Sequence, residues 1–209
     1  VDIPVEVPGL NTIIPSVPAG RIIVVESGAD PAKSFFVRQL ALTALRLGTP
    51  VTMVTSRDKQ EVEAMLAREG GARPWTESTI SITEQDTMPR LNGFGSTPGL
   101  LVIDSFSFLT LGQDGAAVAA LMRALRRLCR ERQTSVVLST DRGMLDPRAE
   151  AVVGHLSDGV VEFHSREGPE GLLRFLRIPK WTDGKLFDRN IHYEFDGRRI
   201  AVDLRNRVL

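Results

Sequence analysis

The sequence predicts an α/β fold: a mostly parallel twisted sheet flanked by helices, with a short antiparallel C-terminal extension. Three observations predict it. Short β-branched runs alternate with helix-length stretches from Arg21 to Ser139. Most of those runs are apolar at successive residues, the pattern of strands buried on both faces. Beyond Gly154 the alternation gives way to strand-like stretches joined by turns.

Residues 1–20 are rich in Pro and Gly and read as a lead-in, with a short helical piece near Asn11–Ile14. Arg21–Glu26 (RIIVVE) is a buried strand. Lys33–Leu47 follows as a helix, with Phe36, Leu40, Thr43, Ala44 and Leu47 at helical spacing and Gly48 at the C-terminal stop. Val51–Thr55 is a second strand. Asp58 caps a helix from Lys59 to Glu69 that stops at Gly70-Gly71. Thr79–Thr83 and Leu100–Asp104 are further strands. Asp114 caps a long helix to Arg132, and Ser135–Ser139 is a fifth strand. Thr140–Glu150, with Gly143 and Pro147, reads as a mobile loop. Gly159–His164, Leu172–Pro179 and Ile191–Leu204 form the extension, the last folded into a hairpin at Phe195-Asp196-Gly197-Arg198. With no linker between these parts, residues 1–209 read as one domain, 155–209 being its antiparallel extension.

Composition narrows the function classes. The formal net charge is zero, which argues against coating nucleic acid or anionic lipid through bulk charge. Cys129 is the single cysteine, so no intrachain disulfide and no cysteine zinc cluster is available. No apolar run has the length of a membrane helix. The start VDIPVEVPG has neither the basic nor the apolar region of a signal peptide, and a cytoplasmic setting is the default expectation.

The chemistry-bearing stretch is Ser27-Gly28-Ala29-Asp30-Pro31-Ala32-Lys33-Ser34, which occupies the frame of a phosphate-binding loop, G-x-x-x-x-G-K-[ST]. In a working loop consecutive backbone amides cradle phosphates, the lysine reaches the β/γ-phosphates and the hydroxyl holds Mg²⁺. Lys33 and Ser34 stand at the positions for both roles. Ser27 and Ala32 replace both framing glycines, which permit tight turns and close phosphate approach. Pro31 has no N–H to donate. Asp30 puts a carboxylate where a polyphosphate would lie, and two such anions about 4 Å apart repel by several kcal/mol. Asp30-Pro31 is equally a plain helix start, an N-cap followed by an N1 proline. The two readings are compatible, because an N-cap carboxylate fills the anion site itself. Leu100-Leu101-Val102-Ile103-Asp104 is an apolar strand ending in Asp, the Walker B form whose carboxylate orients Mg²⁺.

Together these stretches resemble the KaiC-like branch of the RecA superfamily of P-loop ATPases, over nearly the whole chain. Val7-Pro8-Gly9-Leu10-Asn11 is similar to the family's Pro-Gly-Leu-Asp run before the first strand, and Pro18-Ala19-Gly20-Arg21 sits at the turn into it. Val102-Ile103-Asp104-Ser105, Leu156-Ser157-Asp158-Gly159-Val160-Val161 and Leu176-Arg177-Ile178-Pro179-Lys180 match later family segments, and Ile191–Val202 looks like its closing hairpin. The resemblance implies a RecA-like sheet, with ATP bound at Lys33 and Ser34, Mg²⁺ at Ser34 and Asp104, and Lys180 reaching a neighbouring subunit's nucleotide. It also implies self-association or a protein partner.

The departures point elsewhere. The family's water-activating Glu pair falls on Thr55 and Ser56, neither an effective base near pH 7. Its late Lys-x-Arg reads Lys180-Trp181-Thr182. Cradle, base and trans cation are all weakened, which leads to a degenerate Walker A motif and a pseudo-ATPase used as a regulatory or scaffold module. The alternatives are a slow ring-forming ATPase and a recombination-mediator-like DNA-binding protein. The last would use Arg123, Arg126, Arg127 and Arg130, which otherwise read as the solvated face of an amphipathic helix. Arg198, Arg199, Arg205 and Arg207 separately give a basic C-terminal end with the same two readings. His155, His164 and His192 share no ligand spacing, and Phe106 and Phe108 after Asp104 read as packing residues.

Overall fold

The computed structural model describes residues 1–28, 30–70, 80–84, 98–168, 171–182, 184 and 187–202. Its elements are β1 (Ile3–Pro4), a 3₁₀ turn (Leu10–Thr12), β2 (Ser16–Val17), β3 (Ile22–Ser27), α1 (Pro31–Arg46), β4 (Val51–Thr55), α2 (Lys59–Gly70), β5 (Ile80–Glu84), β6 (Leu100–Asp104), α3 (Phe106–Leu109), α4 (Gly115–Arg132), β7 (Ser135–Asp141), α5 (Pro147–Leu156), β8 (Gly159–Gly168), β9 (Gly171–Lys180), β10 (Phe187–Phe195) and β11 (Ile200–Val202).

Nine strands make one sheet in the order β11-β10-β9-β8-β3-β7-β6-β4-β5. From β8 to β5 every pairing is parallel, and from β8 to β11 every pairing is antiparallel. β8 is therefore shared, parallel to β3 on one side and antiparallel to β9 on the other. The antiparallel extension thus starts with β8, where the sequence texture changes, and only the parallel pairing of β8 with β3 departs from that reading.

Strand β3 shows why the parallel strands are apolar throughout. Ile23 and Val25 belong to the core under α1, with Phe36, Leu40 and Phe163. Ile22 and Val24 belong to the opposite core under α4 and α5, with Leu121, Leu125 and Val153. Successive side chains point to opposite faces, so a strand covered by helices on both sides needs apolar residues at every position. Gly159 is required by close approach: a Cβ there would lie 2.9 Å from both Ile23 Cδ1 and the Trp181 ring.

Three segments differ from the sequence reading. The supposed loop after the fifth strand is largely structured. β7 runs on to Asp141, and Asp146 caps α5 by accepting from the amides of Arg148 (2.8 Å) and Ala149 (3.1 Å). A ten-residue helix too short for a clear period was hidden behind turn-forming residues. Phe106 is fully buried, whereas Phe108 is 43% exposed on α3. Arg126 turns inward from α4, donating to the Leu156 carbonyl and lying 3.5 Å from Asp158, while Arg123, Arg127 and Arg130 stay exposed. Arg205, Arg207, Thr79 and Gly71 lie outside the described residues. Among the described residues, no helix is long and apolar enough to cross a membrane.

Candidate functional site

The carboxyl ends of β3, β7, β6 and β4 lie along one edge of the parallel sheet, where ligands of open α/β folds bind. Ser27 faces Asp141 across the β3–β7 ladder, and Thr55 faces Asp104 across β4–β6. β3 ends at this edge with Ser27, and α1 begins beyond it with Pro31.

Asp30 is the N-cap of α1, and Pro31 is its first residue. The Asp30 carboxylate is buried, and its Oδ1 accepts from the Ala32 amide at 2.9 Å. Its Oδ2 accepts from the Tyr193 hydroxyl of β10 at 2.8 Å, with Arg174 Nε 3.7 Å away. The backbone charge at the start of α1 is thus met by a carboxylate from the chain itself. Burial, with the hydrogen bond to Asp30 and its charge, pushes the Tyr193 phenol far above its ordinary pKa. A phenol held neutral beside a carboxylate can only donate, which fixes the direction of this bond.

Lys33 sits one turn further on and is 3% exposed. Its ammonium donates to Asp141 Oδ1 at 2.5 Å and to the Thr140 carbonyl at 2.9 Å. Asp141 is a hub. Its Oδ2 accepts from Ser105 Oγ at 2.6 Å and Ser107 Oγ at 3.2 Å, and its own amide donates back to Ser107 Oγ at 2.8 Å. Burial alone would raise the Asp141 carboxyl pKa. The Lys33 bond and charge and the two serine hydroxyls outweigh it, so the carboxyl lies below its ordinary value. Ser34 is half-buried in the first turn of α1. Asp104 is buried at the end of β6, its carbonyl accepting from the Ser56 amide at 3.2 Å, and its peptide to Ser105 is cis.

Thr55 is fully buried, and its hydroxyl accepts from the Arg57 amide at 3.0 Å. Asp58 caps α2 through the Glu61 amide at 3.0 Å. At the other end of the sheet Lys180 donates to the carbonyls of Gly154 (3.2 Å), His155 (3.0 Å) and Ser157 (2.6 Å), closing the C-terminus of α5. Burial, assisted by the Arg126 charge, holds its pKa below the ordinary lysine value. The Asp158 of the Leu156–Val161 segment is a brace: its Oδ2 accepts from the Ile22 amide at 2.9 Å and its own amide donates to the Ile22 carbonyl at 2.7 Å. Burial, with the nearby Asp158 charge, pushes the Cys129 thiol up to about 12, which removes it as a nucleophile. Among the described residues, no group of three or more His, Cys, Asp or Glu is placed to hold a metal ion.

The structure thus brings Lys33 and Asp104 to one edge of the sheet and engages Lys180 elsewhere. Sequence reasoning missed Asp141, Tyr193 and Arg174. The signal for Asp141 was present: Ser135–Asp141 (SVVLSTD), like Leu100–Asp104, is a buried strand ending in Asp.

The flagellar accessory protein FlaH from Methanocaldococcus jannaschii superposes with a TM-score of 0.79 at 15% identity, over 97% of this chain and 98% of that one. The KaiC-like protein PH0186 from Pyrococcus horikoshii OT3 superposes with a TM-score of 0.74 at 18% identity, over 97% and 99%. At these identities the likeness establishes the RecA-like fold: a mixed, twisted sheet between helices, as in KaiC-like proteins. No curated protein matches the sequence. A family model described as "Family of unknown function (DUF7125)" matches residues 16–208, and the chain belongs to that family.

Proposed function

We propose that this chain is a non-hydrolysing RecA-like module with a degenerate Walker A motif, serving as a regulatory or scaffold element through protein contacts. The observation that carries this reading is Asp30: its buried carboxylate takes the first-turn amide of α1 and is held there by Tyr193. A polyphosphate placed on that helix end meets a fixed anion and, at Pro31, a position without an N–H. Lys33 already has two partners, and Thr55 and Ser56 supply no carboxylate to activate water. The donor set therefore does not fit Mg-ATP, and no hydrolytic step is assigned to Ser34 or Asp104.

The accessory role named for the flagellar neighbour is the kind of role this reading assigns, with a protein partner or a second copy of the chain as its target. With Lys180 closing α5, the trans contact to a neighbour's nucleotide is not part of the proposal. A protein partner suits this surface better than nucleic acid, because Arg126 leaves the exposed arginine row. The test is isothermal titration with Mg-ATP together with a phosphate-release assay. Weak or no binding without turnover is expected. Tight binding with turnover on the order of 1 s⁻¹ or faster overturns the reading.

A further inference from the structure

We propose that Asp141 is a built-in competitor for Lys33, and that Lys33, Ser105 and Ser107 form an oxyanion receptor filled from within. The inference rests on the non-hydrolysing reading and names what closes the site. Donors from two separate elements converge on one carboxylate: the Lys33 ammonium from α1 on Oδ1, and the Ser105 and Ser107 hydroxyls at the start of α3 on Oδ2. Both oxygens are served, which is the arrangement a phosphate-type anion would need. Access is asymmetric. The Lys33 side chain is 4% exposed, whereas the Asp141 side chain is 36% exposed. An anion arriving from solvent meets Asp141 first and reaches Lys33 only by displacing it. While the carboxylate stays, its charge repels the incoming anion as well. Asp141 and Asp30 therefore close two different parts of the loop remnant, the lysine and the helix end.

The experiment titrates the full chain with inorganic pyrophosphate and with Mg-ATP. Asp141→Asn keeps the side-chain shape and removes the charge; Asp141→Ala removes the group, and thermal melting checks that both fold. Both variants should bind pyrophosphate at least about tenfold more tightly than the unsubstituted chain. Adding Lys33→Met to Asp141→Asn should return the affinity to its starting level. Unchanged or weaker binding by the folded variants overturns the proposal, and so does a gain that survives Lys33→Met. Should neither variant fold, the carboxyl carbon resonance of Asp141 in the unsubstituted chain decides. It should move as pyrophosphate binds at high concentration; binding that leaves it unmoved, or no binding at the solubility limit, overturns the proposal. Rapid phosphate release by the unsubstituted chain would sink the non-hydrolysing reading instead, so the two failures are distinguishable.

Discussion

Asp30→Ala tests the buried cap of α1 most directly. The substitution removes the N-cap acceptor for the Ala32 amide, which costs about 0.5–2 kcal/mol. It also strands the Tyr193 hydroxyl in a buried position, which costs about 1–3 kcal/mol. The Arg174 contact, at 3.7 Å and with its side chain 27% exposed, adds little. Shared partners make the costs less than additive, so the expected loss is about 2–4 kcal/mol. Urea unfolding followed by tryptophan fluorescence reads this out, because Trp181 is buried against Gly159. With an m-value of about 2 kcal/mol/M, the midpoint should fall by about 1–2 M. Asp30→Asn retains an acceptor and should cost about 1 kcal/mol or less. In a double-mutant cycle with Tyr193→Phe, the coupling should be about 0.5–3 kcal/mol. A loss under about 0.5 kcal/mol for Asp30→Ala, with no coupling to Tyr193, would refute the claim that this carboxylate is a buried cap held from β10.

Tyr193 is the single tyrosine, so tyrosinate absorbance reports on it alone. Its pKa is raised in the fold, so its contribution is complete below about pH 10, the ordinary phenol value, and is lost as pH rises above it. Tyrosinate should therefore appear only together with unfolding; phenolate in the folded chain near pH 10 would contradict this. For Asp141 the sign is opposite: its folded pKa is depressed below 3.8, so its contribution is present above that value and lost as pH falls through the folded pKa. The stability gap between the unsubstituted chain and Asp141→Asn should narrow below about pH 4, and a gap constant down to pH 2 would count against the ion pair. Asp141→Ala leaves a buried ammonium without its charge partner and should cost about 3–5 kcal/mol. Lys33→Met leaves a half-exposed carboxylate still bonded to two serines and should cost less; chemical denaturation reads the order, and the reverse order would contradict the burial asymmetry.

Much of the sheet was legible because burial on both faces writes itself into β3, β6 and β7 as unbroken apolar runs. Val51–Thr55 and Leu100–Asp104 agree residue for residue, and Asp30, Asp58 and Asp114 cap where expected. Local chemistry of that kind lies within a few residues and needs no knowledge of the fold. What was not legible depends on residues distant in sequence. Asp141 is 108 positions from Lys33, and Tyr193 is 163 from Asp30. Nothing local distinguishes an Asp that ends a strand in solvent from one that occupies a lysine across the sheet edge. Arg126 was misplaced for the same reason: its spacing put it with Arg123 and Arg127, and only the packing of α4 on α5 turned it toward Leu156 and Asp158.

The position of β3 has a consequence for how the chain is made. It is the first long strand, yet both its neighbours, β7 and β8, come more than a hundred residues later. The Asp158 brace on Ile22 spans 136 positions. Until synthesis passes Gly159, the middle of the sheet has an open flank of unpaired amides and carbonyls, the kind of edge that recruits other chains. The lead-in waits longer still, because the Val202 amide donates to the Pro8 carbonyl at 3.0 Å. Folding of this chain is accordingly a late, long-range closure, and nascent stretches ending before Gly159 are the ones most open to association.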